Sequence, residues 1–158
     1  DITYIDNYAF KSCSNLASIN MPEGITTIAE EAFMDCSSLT SIELPEGIAS
    51  IGQSAFRNCS SLTSIELPEG IASIGESAFM DSGLTSIVIP SKIKTLYLNA
   101  FIGCLSIYMK SAYPPTYTNV AYQDFVHLQK IKLFVPRGAL GNYKVWEIYF
   151  ADILEYDL

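Results

Sequence analysis

The sequence has little of what enzyme chemistry requires. It contains one histidine, His127, and lacks glycine-rich phosphate loops, nucleophile elbows and paired-histidine zinc motifs. Serines recur at positions 18, 41, 64 and 86, but no base accompanies each copy, as nucleophilic catalysis would require. We interpret His127 as a surface residue and predict a protein that is not an enzyme, with no catalytic, cofactor-binding or metal-binding residues.

Basic charge and long apolar runs are also scarce. Residues 1–90 carry two basic and twelve acidic residues (net −10), whereas residues 91–158 carry seven basic and five acidic residues (net +2). Nucleic-acid binding needs a basic footprint, and a membrane helix needs roughly 18 consecutive apolar residues. We therefore expect neither a nucleic-acid partner nor a membrane span. The acidity is interpreted as a solubilising surface, with a basic or calcium-bridged partner as the alternative.

No C-x-x-C motif is present, which leaves zinc and thioredoxin-like redox sites without support. The four cysteines are Cys13, Cys36, Cys59 and Cys104, and the first three are 23 residues apart. Side chains at equivalent positions of a repeat point the same way, which is poor geometry for a disulfide. The spacing predicts free thiols that fill small buried sites.

What the sequence does have is an internal repeat of 23 residues. The unit "LTSIELPEGIASIGQSAFRNCSS" begins at Leu39 and recurs almost unchanged from Leu62, with looser copies from Leu16 and Leu84. Phenylalanine falls at positions 10, 33, 56 and 79, and then at 101 after a shortening of one residue at Ser82-Gly83. A fixed period of this length predicts a solenoid in which each repeat forms one coil.

The first part of each unit predicts a strand. In the unit from Leu39, Ile42 and Leu44 alternate with Ser41 and Glu43, and this alternation is typical of a half-buried strand. Proline ends the strand because it cannot donate to a ladder. We expect successive strands to pair into a parallel sheet of five or six rungs, spaced by roughly 4.8 Å.

The second part of each unit predicts a turn and a short helix. Glu46-Gly47 is expected to form the turn, with the glycine free to adopt a positive φ. Ile48 and Ile51 then point inward along a second extended segment. Residues 53–58 are predicted to form a short helical or 3₁₀ turn that places Phe56 in the core.

The chain departs from this frame after residue 112. Pro114-Pro115 breaks regular structure, "KLFVPRG" restores the strand pattern, residues 139–150 have helical spacing, and "DILEYDL" predicts a last strand. Solenoids need caps. We therefore predict one domain over 1–158, with regular repeats over 1–112 and a degenerate coil and C-terminal cap over 113–158. Trp146 is expected to pack in this cap rather than to form a ligand platform.

The candidate binding surface is the outward face of the strands. Its central position reads Asn20, Glu43, Glu66, Val88, Tyr108 and Phe134, which changes from polar and acidic to apolar and aromatic. Exposed aromatic residues beside polar ones are typical of protein contact sites. The predicted partner-binding residues are Ser41, Glu43, Ser64, Glu66, Val88, Tyr108 and Phe134. The alternative is that C-terminal residues fold over the two aromatic rings.

The glutamates of this face also raise the question of calcium. Like charges on adjacent strands repel each other, and a cation would relieve that repulsion. Calcium, however, takes six to eight oxygen ligands, and a flat row of glutamates supplies fewer. We therefore interpret the row as a solvated face.

The repeat resembles the BspA-like, or Treponema-type, leucine-rich-repeat family. The residues that match its unit are Leu39, Ile42, Leu44, Pro45, Ile48, Ile51, Ala55, Phe56 and Cys59, together with their counterparts in neighbouring copies. The ending is similar as well, with Pro114-Pro115, the "VPRG" at 135–138, and then Tyr143, Trp146, Phe150 and Ile153.

The resemblance implies a leucine-rich-repeat, right-handed solenoid of the α/β horseshoe class, with five to six coils. It also implies a secreted or cell-surface bacterial protein, adhesin-like, whose partner is a host extracellular-matrix protein or another cell-surface protein. Because the chain begins inside a repeat, we expect that it is part of a longer precursor that carries the signal and anchor. The alternative function is a structural spacer, a stalk that displays another part of the precursor.

Overall fold

The repeats form the coils of a solenoid in the computed structural model, which describes residues 2–117 and 122–157. There are about six turns, and strands pair in parallel between residues 23 apart, as between Thr27 and Ser50 and between Ser50 and Ser73. This confirms the predicted leucine-rich-repeat solenoid. Equivalent residues lie over one another because every coil has nearly the same length.

The strands of the described part of the chain are short. In chain order they are β1 (Tyr4–Ile5), β2 (Ser18–Ile19), β3 (Thr27–Ile28), β4 (Ser41–Ile42), β5 (Ser50–Ile51), β6 (Ser73–Ile74), β7 (Ser86–Ile89), β8 (Thr95–Leu96), β9 (Ser106–Met109), β10 (Thr116–Tyr117), β11 (Lys132–Pro136) and β12 (Asp152–Tyr156). Two 3₁₀ helices span Leu98–Phe101 and Leu140–Trp146, and α1 spans Tyr122–Leu128.

The first strand of each repeat unit, which follows the unit's opening leucine, is called here the leucine-led segment. The continuous sheet is not built by these leucine-led segments. Its order is β1-β3-β5-β6-β8-β10, so it consists of the second extended segment of each coil, together with Thr116–Tyr117. The leucine-led segments form two separate sheets, β2-β4 and β7-β9-β11-β12. We predicted that the leucine-led segments would form one sheet of five or six strands. That prediction was wrong, because the six-stranded sheet is formed by the second extended segments instead.

The break between the two leucine-led sheets lies at residues 63–67. Within the described residues, this segment makes no backbone hydrogen bond to a neighbouring coil. The shortened corner follows it, where the Gly83 N–H donates to the Cys59 carbonyl at 3.1 Å. A Cβ at Gly83 would lie 2.5 Å from the Ser60 carbonyl oxygen, so only glycine fits this close backbone approach.

Residues 53–58 form consecutive turns, and the helical turn predicted there was wrong. In these turns, every second backbone amide donates a hydrogen bond to the next coil. In the coil before residues 53–58, for example, the Phe33 N–H donates to the Ala55 carbonyl at 2.8 Å, and the Asp35 N–H donates to the Arg57 carbonyl at 2.9 Å. The amides between them close local turns. A continuous helix cannot form because half of the amides it would use are bonded between coils. A 3₁₀ helix is found at the equivalent position two coils later, over Leu98–Phe101.

These turns require left-handed backbone at residues that are not glycine. Positive φ angles occur twice in each of four successive coils, at Tyr8 and Ser12, Glu31 and Asp35, Ser54 and Asn58, and Ser77 and Asp81. Glu46 and Gly47 form the predicted turn without a positive φ at the glycine, since the positive-φ glycines of the described residues are Gly103 and Gly138. At Asn58 the conformation is supported by the side-chain amide, which donates to Asp35 Oδ1 at 2.8 Å.

The centre of the core is a column of stacked phenylalanine rings. Successive ring centroids of Phe10, Phe33, Phe56, Phe79 and Phe101 lie 5.0, 5.3, 5.4 and 6.0 Å apart, and the rings are parallel to within 14°. Four of the five rings are fully buried, and each contributes roughly 1.5–3 kcal/mol by leaving water. This confirms that equivalent residues are stacked in register.

The cysteines are free, and three of them are buried. The Cys36 thiol donates to the Phe10 carbonyl at 3.0 Å, and the Cys59 thiol donates to the Phe33 carbonyl at 3.1 Å. Burial raises the pKa of Cys36 to about 11 and the pKa of Cys59 and Cys104 to about 12. The prediction of burial was wrong for Cys13, which is exposed.

The C-terminal segment packs aromatic side chains inward. Trp146 and Tyr143 are fully buried, Phe150 nearly so, and Trp146 lies 5.5 Å from the Tyr143 ring and 5.8 Å from the Phe150 ring. The Tyr143 hydroxyl donates to the Ser111 carbonyl at 2.8 Å, and burial raises its pKa. Trp146 is therefore a packing residue, as predicted.

Candidate functional site

The structure brings the seven predicted contact residues to one surface, the outward strand face. Ser41, Glu43, Ser64, Glu66 and Val88 are exposed, whereas Tyr108 and Phe134 are half-buried. The alternation along each segment explains this placement, because the neighbouring Ile42, Ile87 and Ile107 point into the core. The surface has two different halves, which meet near Glu66 and Val88.

The first half is an apolar row that crosses the four-stranded sheet. Val88 lies directly opposite Tyr108, Tyr108 opposite Phe134, and Phe134 opposite Leu154. Val88 is 46% exposed and Leu154 is 40% exposed. Leu154 was not among the predicted contact residues, although the alternation in "DILEYDL" places it on the face opposite Ile153.

The aromatic rings of the apolar row are held rigidly. Tyr108 stacks on Phe134 with centroids 4.5 Å apart and planes 9° apart. Tyr156 packs edge-on against Tyr108 at 5.4 Å, and its hydroxyl donates to the Met109 carbonyl at 3.0 Å. Burial raises the pKa of Tyr156. C-terminal residues thus cover one side of Tyr108, and the rest of the row stays accessible.

The second half is an acidic groove of about 590 Å³. Its lining includes the exposed carboxylates of Glu43, Glu46, Glu66 and Glu69, the hydroxyls of Ser41 and Ser64, and the half-buried side chains of Leu44, Ile65 and Leu67. The groove lies where residues 63–67 run unpaired between the two leucine-led sheets. Lys110 reaches it from the adjoining sheet and forms an ion pair with Glu69.

A smaller groove of about 280 Å³ joins the two halves. It is lined by Ile65, Glu66, Leu67, Val88, Pro90 and Lys110, so it shares residues with the acidic groove and with the apolar row. The outward strand face is therefore one continuous surface, acidic at one end and apolar at the other.

Within residues 2–117 and 122–157, no group of three or more histidine, cysteine, aspartate or glutamate side chains is arranged to hold a metal ion. His127 is exposed on α1 and lines none of the three grooves of this face. Across the same residues, no helix is both long enough and apolar enough to cross a membrane.

Residues 1–108 match the family model of the BspA type leucine rich repeat region, in six copies. The solenoid is similar to the crystal structure of a leucine rich repeat protein from T. pallidum, at 30% identity and a TM-score of 0.65, covering 68% of this chain and 52% of that one. No curated protein sequence matches the chain.

Two further crystal structures share the fold at lower identity. The pneumococcal vaccine antigen PcpA is 22% identical, with a TM-score of 0.59 over 90% of this chain and 42% of that one. A leucine rich cell surface protein from Faecalibacterium prausnitzii is 22% identical, with a TM-score of 0.56 over 97% of this chain and 54% of that one. The chain thus spans about half the length of these proteins.

Proposed function

Because the chain belongs to the BspA-type leucine-rich-repeat family, we propose that it is a non-enzymatic module that binds a protein partner on its outward strand face. The observation that carries this proposal is the apolar row. Val88 and Leu154 are exposed in register with two stacked aromatic rings, although the core is already filled by the phenylalanine column. Packing therefore accounts for the column and leaves the row unexplained.

The row has the chemistry of a protein contact site. Aromatic side chains are enriched at the centres of interfaces, where they bury a large area. The Tyr108 and Phe134 rings are already fixed by stacking and by Tyr156, so little side-chain entropy would be lost on binding. A stalk without a ligand has no need of such a surface, which favours the binding module over the spacer.

Our proposal for location is the cell surface or the extracellular space. One of the similar structures is described as a cell surface protein and another as a vaccine antigen, and both share the fold at 22% identity. The proposed partner class is accordingly a host extracellular-matrix protein or another cell-surface protein. We also propose that residues 113–158 serve as a degenerate coil and cap, an interpretation supported by the buried Tyr143, Trp146 and Phe150.

The test is a biosensor screen against a panel of purified matrix and cell-surface proteins. For a partner found in the screen, Tyr108→Ala and Phe134→Ala should each weaken binding by roughly tenfold or more, as truncations of central aromatic residues do. Val88→Ser changes the same row without disturbing a stacked ring, so it separates lost contact from lost folding. Tyr113→Ala is the matched control, because Tyr113 is 69% exposed and lies off the row.

Two results would count against the proposal. If the row variants bind as well as the Tyr113→Ala control, the contact lies elsewhere on the molecule. If no member of the panel binds the unmodified protein, the spacer becomes the better explanation.

A further inference from the structure

We propose that the partner presents an extended segment whose basic end lies in the acidic groove and whose apolar or aromatic end lies on the apolar row. This inference rests on the proposed function and adds the chemistry and direction of the bound segment. It follows from the order of the two halves along the solenoid axis and from the small groove that joins them.

Charge complementarity identifies the first end of the segment. Four glutamates line the acidic groove, and Glu23 and Glu46 line a neighbouring groove of about 450 Å³ with Glu43. Lys110 is the basic residue in the lining of the acidic groove, and it pairs with Glu69. The remaining carboxylates carry an uncompensated negative charge, which attracts lysine or arginine side chains.

The apolar row identifies the second end. It contains no charged side chain, and it begins one coil beyond Glu66. A purely apolar partner that also covered the acidic groove would desolvate its carboxylates without compensation, which is costly. A purely basic partner would leave Val88 and Leu154 exposed. A segment with both chemistries satisfies the whole surface.

The spacing of the coils sets the length of the segment. Glu43 and Tyr108 are three coils apart, or roughly 14 Å at about 4.8 Å per coil. Glu43 and Leu154 are five coils apart, or roughly 24 Å. An extended chain rises about 3.3 Å per residue, so the side chain that contacts Tyr108 should follow the first basic one by about four residues. The whole contact takes about seven residues.

The experiment uses a fluorescein-labelled peptide as the probe. It carries Lys-Arg-Lys, a single Gly spacer and Trp-Leu-Phe, and two companion peptides replace either the basic residues by glutamate or the apolar residues by serine. Binding is measured by fluorescence anisotropy at low and at physiological salt. We expect the probe to bind more tightly than both companions and to weaken as salt screens the charges.

The test compares two double variants, each of which removes two negative charges. Glu43→Gln with Glu66→Gln should weaken probe binding by about fivefold, the effect of losing two exposed ion pairs. Asp81→Asn with Glu147→Gln removes two exposed carboxylates outside the groove and should change binding by less than about twofold. All four side chains are exposed, so none of the changes disturbs the core.

The possible outcomes are distinct. If Val88→Ser weakens probe binding while the two double variants behave alike, the basic end is wrong and the proposed function stands. If the probe does not bind up to about 1 mM, a range that detects even weak contacts, the inference is overturned, whereas the screen of natural partners still tests the function. If light scattering shows a dimer that Glu43→Gln with Glu66→Gln dissociates, the occupant is a second copy of the chain, which also overturns the inference.

Discussion

The phenylalanine column and the apolar row are both series of apolar side chains stacked from coil to coil, and they differ in where they lie. The column is at the centre of the core, with Phe33, Phe56 and Phe79 fully buried. The row is on the surface, with Val88 and Leu154 close to half exposed. Stacking follows from the parallel register of successive coils in both cases, but only the column is explained by burial. The difference separates the residues that build the solenoid from those available to a partner.

The largest expected effect is the difference in stability between a variant that loses a ring from the column and a variant that loses a ring from the row. Phe56→Ala leaves a cavity in the middle of the column and should lower the free energy of unfolding by about 3–5 kcal/mol. Phe134→Ala removes a half-buried ring and should cost about half as much. Urea unfolding of both variants measures the two costs. Equal costs would mean that the row is as much a part of the core as the column.

The regular coils and the C-terminal segment should differ in their tolerance of alanine at glycine. A Cβ at Gly75 would lie 2.6 Å from the Gln53 nitrogen of the preceding coil, whereas nothing lies within 4 Å of a Cβ at Gly141. Gly75→Ala should therefore cost about 1–3 kcal/mol. Gly141→Ala, within a 3₁₀ helix, should be neutral or stabilise by up to about 1 kcal/mol. Thermal melts of the two variants make the comparison, and a harmless Gly75→Ala would contradict the close packing of coils.

A smaller effect is expected where the turns need left-handed backbone. Asn58→Ala and Asn58→Gly both lose the hydrogen bond to Asp35, but glycine adopts the positive φ at little cost. The glycine variant should therefore be about 1 kcal/mol more stable than the alanine variant. The reverse order in urea unfolding would show that residue 58 is not left-handed in solution.

These comparisons also show what the sequence could predict. The 23-residue spacing was enough to place Phe56 over Phe33 and to orient Glu43 and Val88 outward, because identical coil lengths bring identical positions into register. It did not reveal that every second amide donates to a carbonyl of the next coil. Because these amides are unavailable for helical hydrogen bonds, residues 53–58 are not helical.

Two features of the candidate site were also beyond the sequence pattern. The gap at residues 63–67, and with it the acidic groove, depends on how neighbouring coils approach each other, which single-repeat patterns do not contain. Leu154 was missed because its strand lies far from the repeat frame, although it pairs with Phe134 through β11.

The smallest expected effect concerns the cysteines. At pH 8 a thiol reagent should react quickly with the exposed Cys13 and slowly with Cys36, Cys59 and Cys104, which are buried. Burial raises the pKa of Cys59 from 9.0 to about 12, so its contribution to stability is complete below pH 9 and is lost as the pH rises towards 12. Cys59→Ala should accordingly show a shallower loss of stability over that pH range. Rapid reaction of all four thiols in the folded protein would contradict the buried positions.

Hydrogen exchange with and without the Lys-Arg-Lys/Trp-Leu-Phe peptide tests the central claim most directly. We predict that bound peptide slows exchange at residues 63–67, whose amides lack inter-coil hydrogen bonds, and at 86–89 and 106–109, while the turns at 53–58 on the other side of the coil are unchanged. Protection confined to those turns would contradict the assignment of the outward strand face as the contact surface.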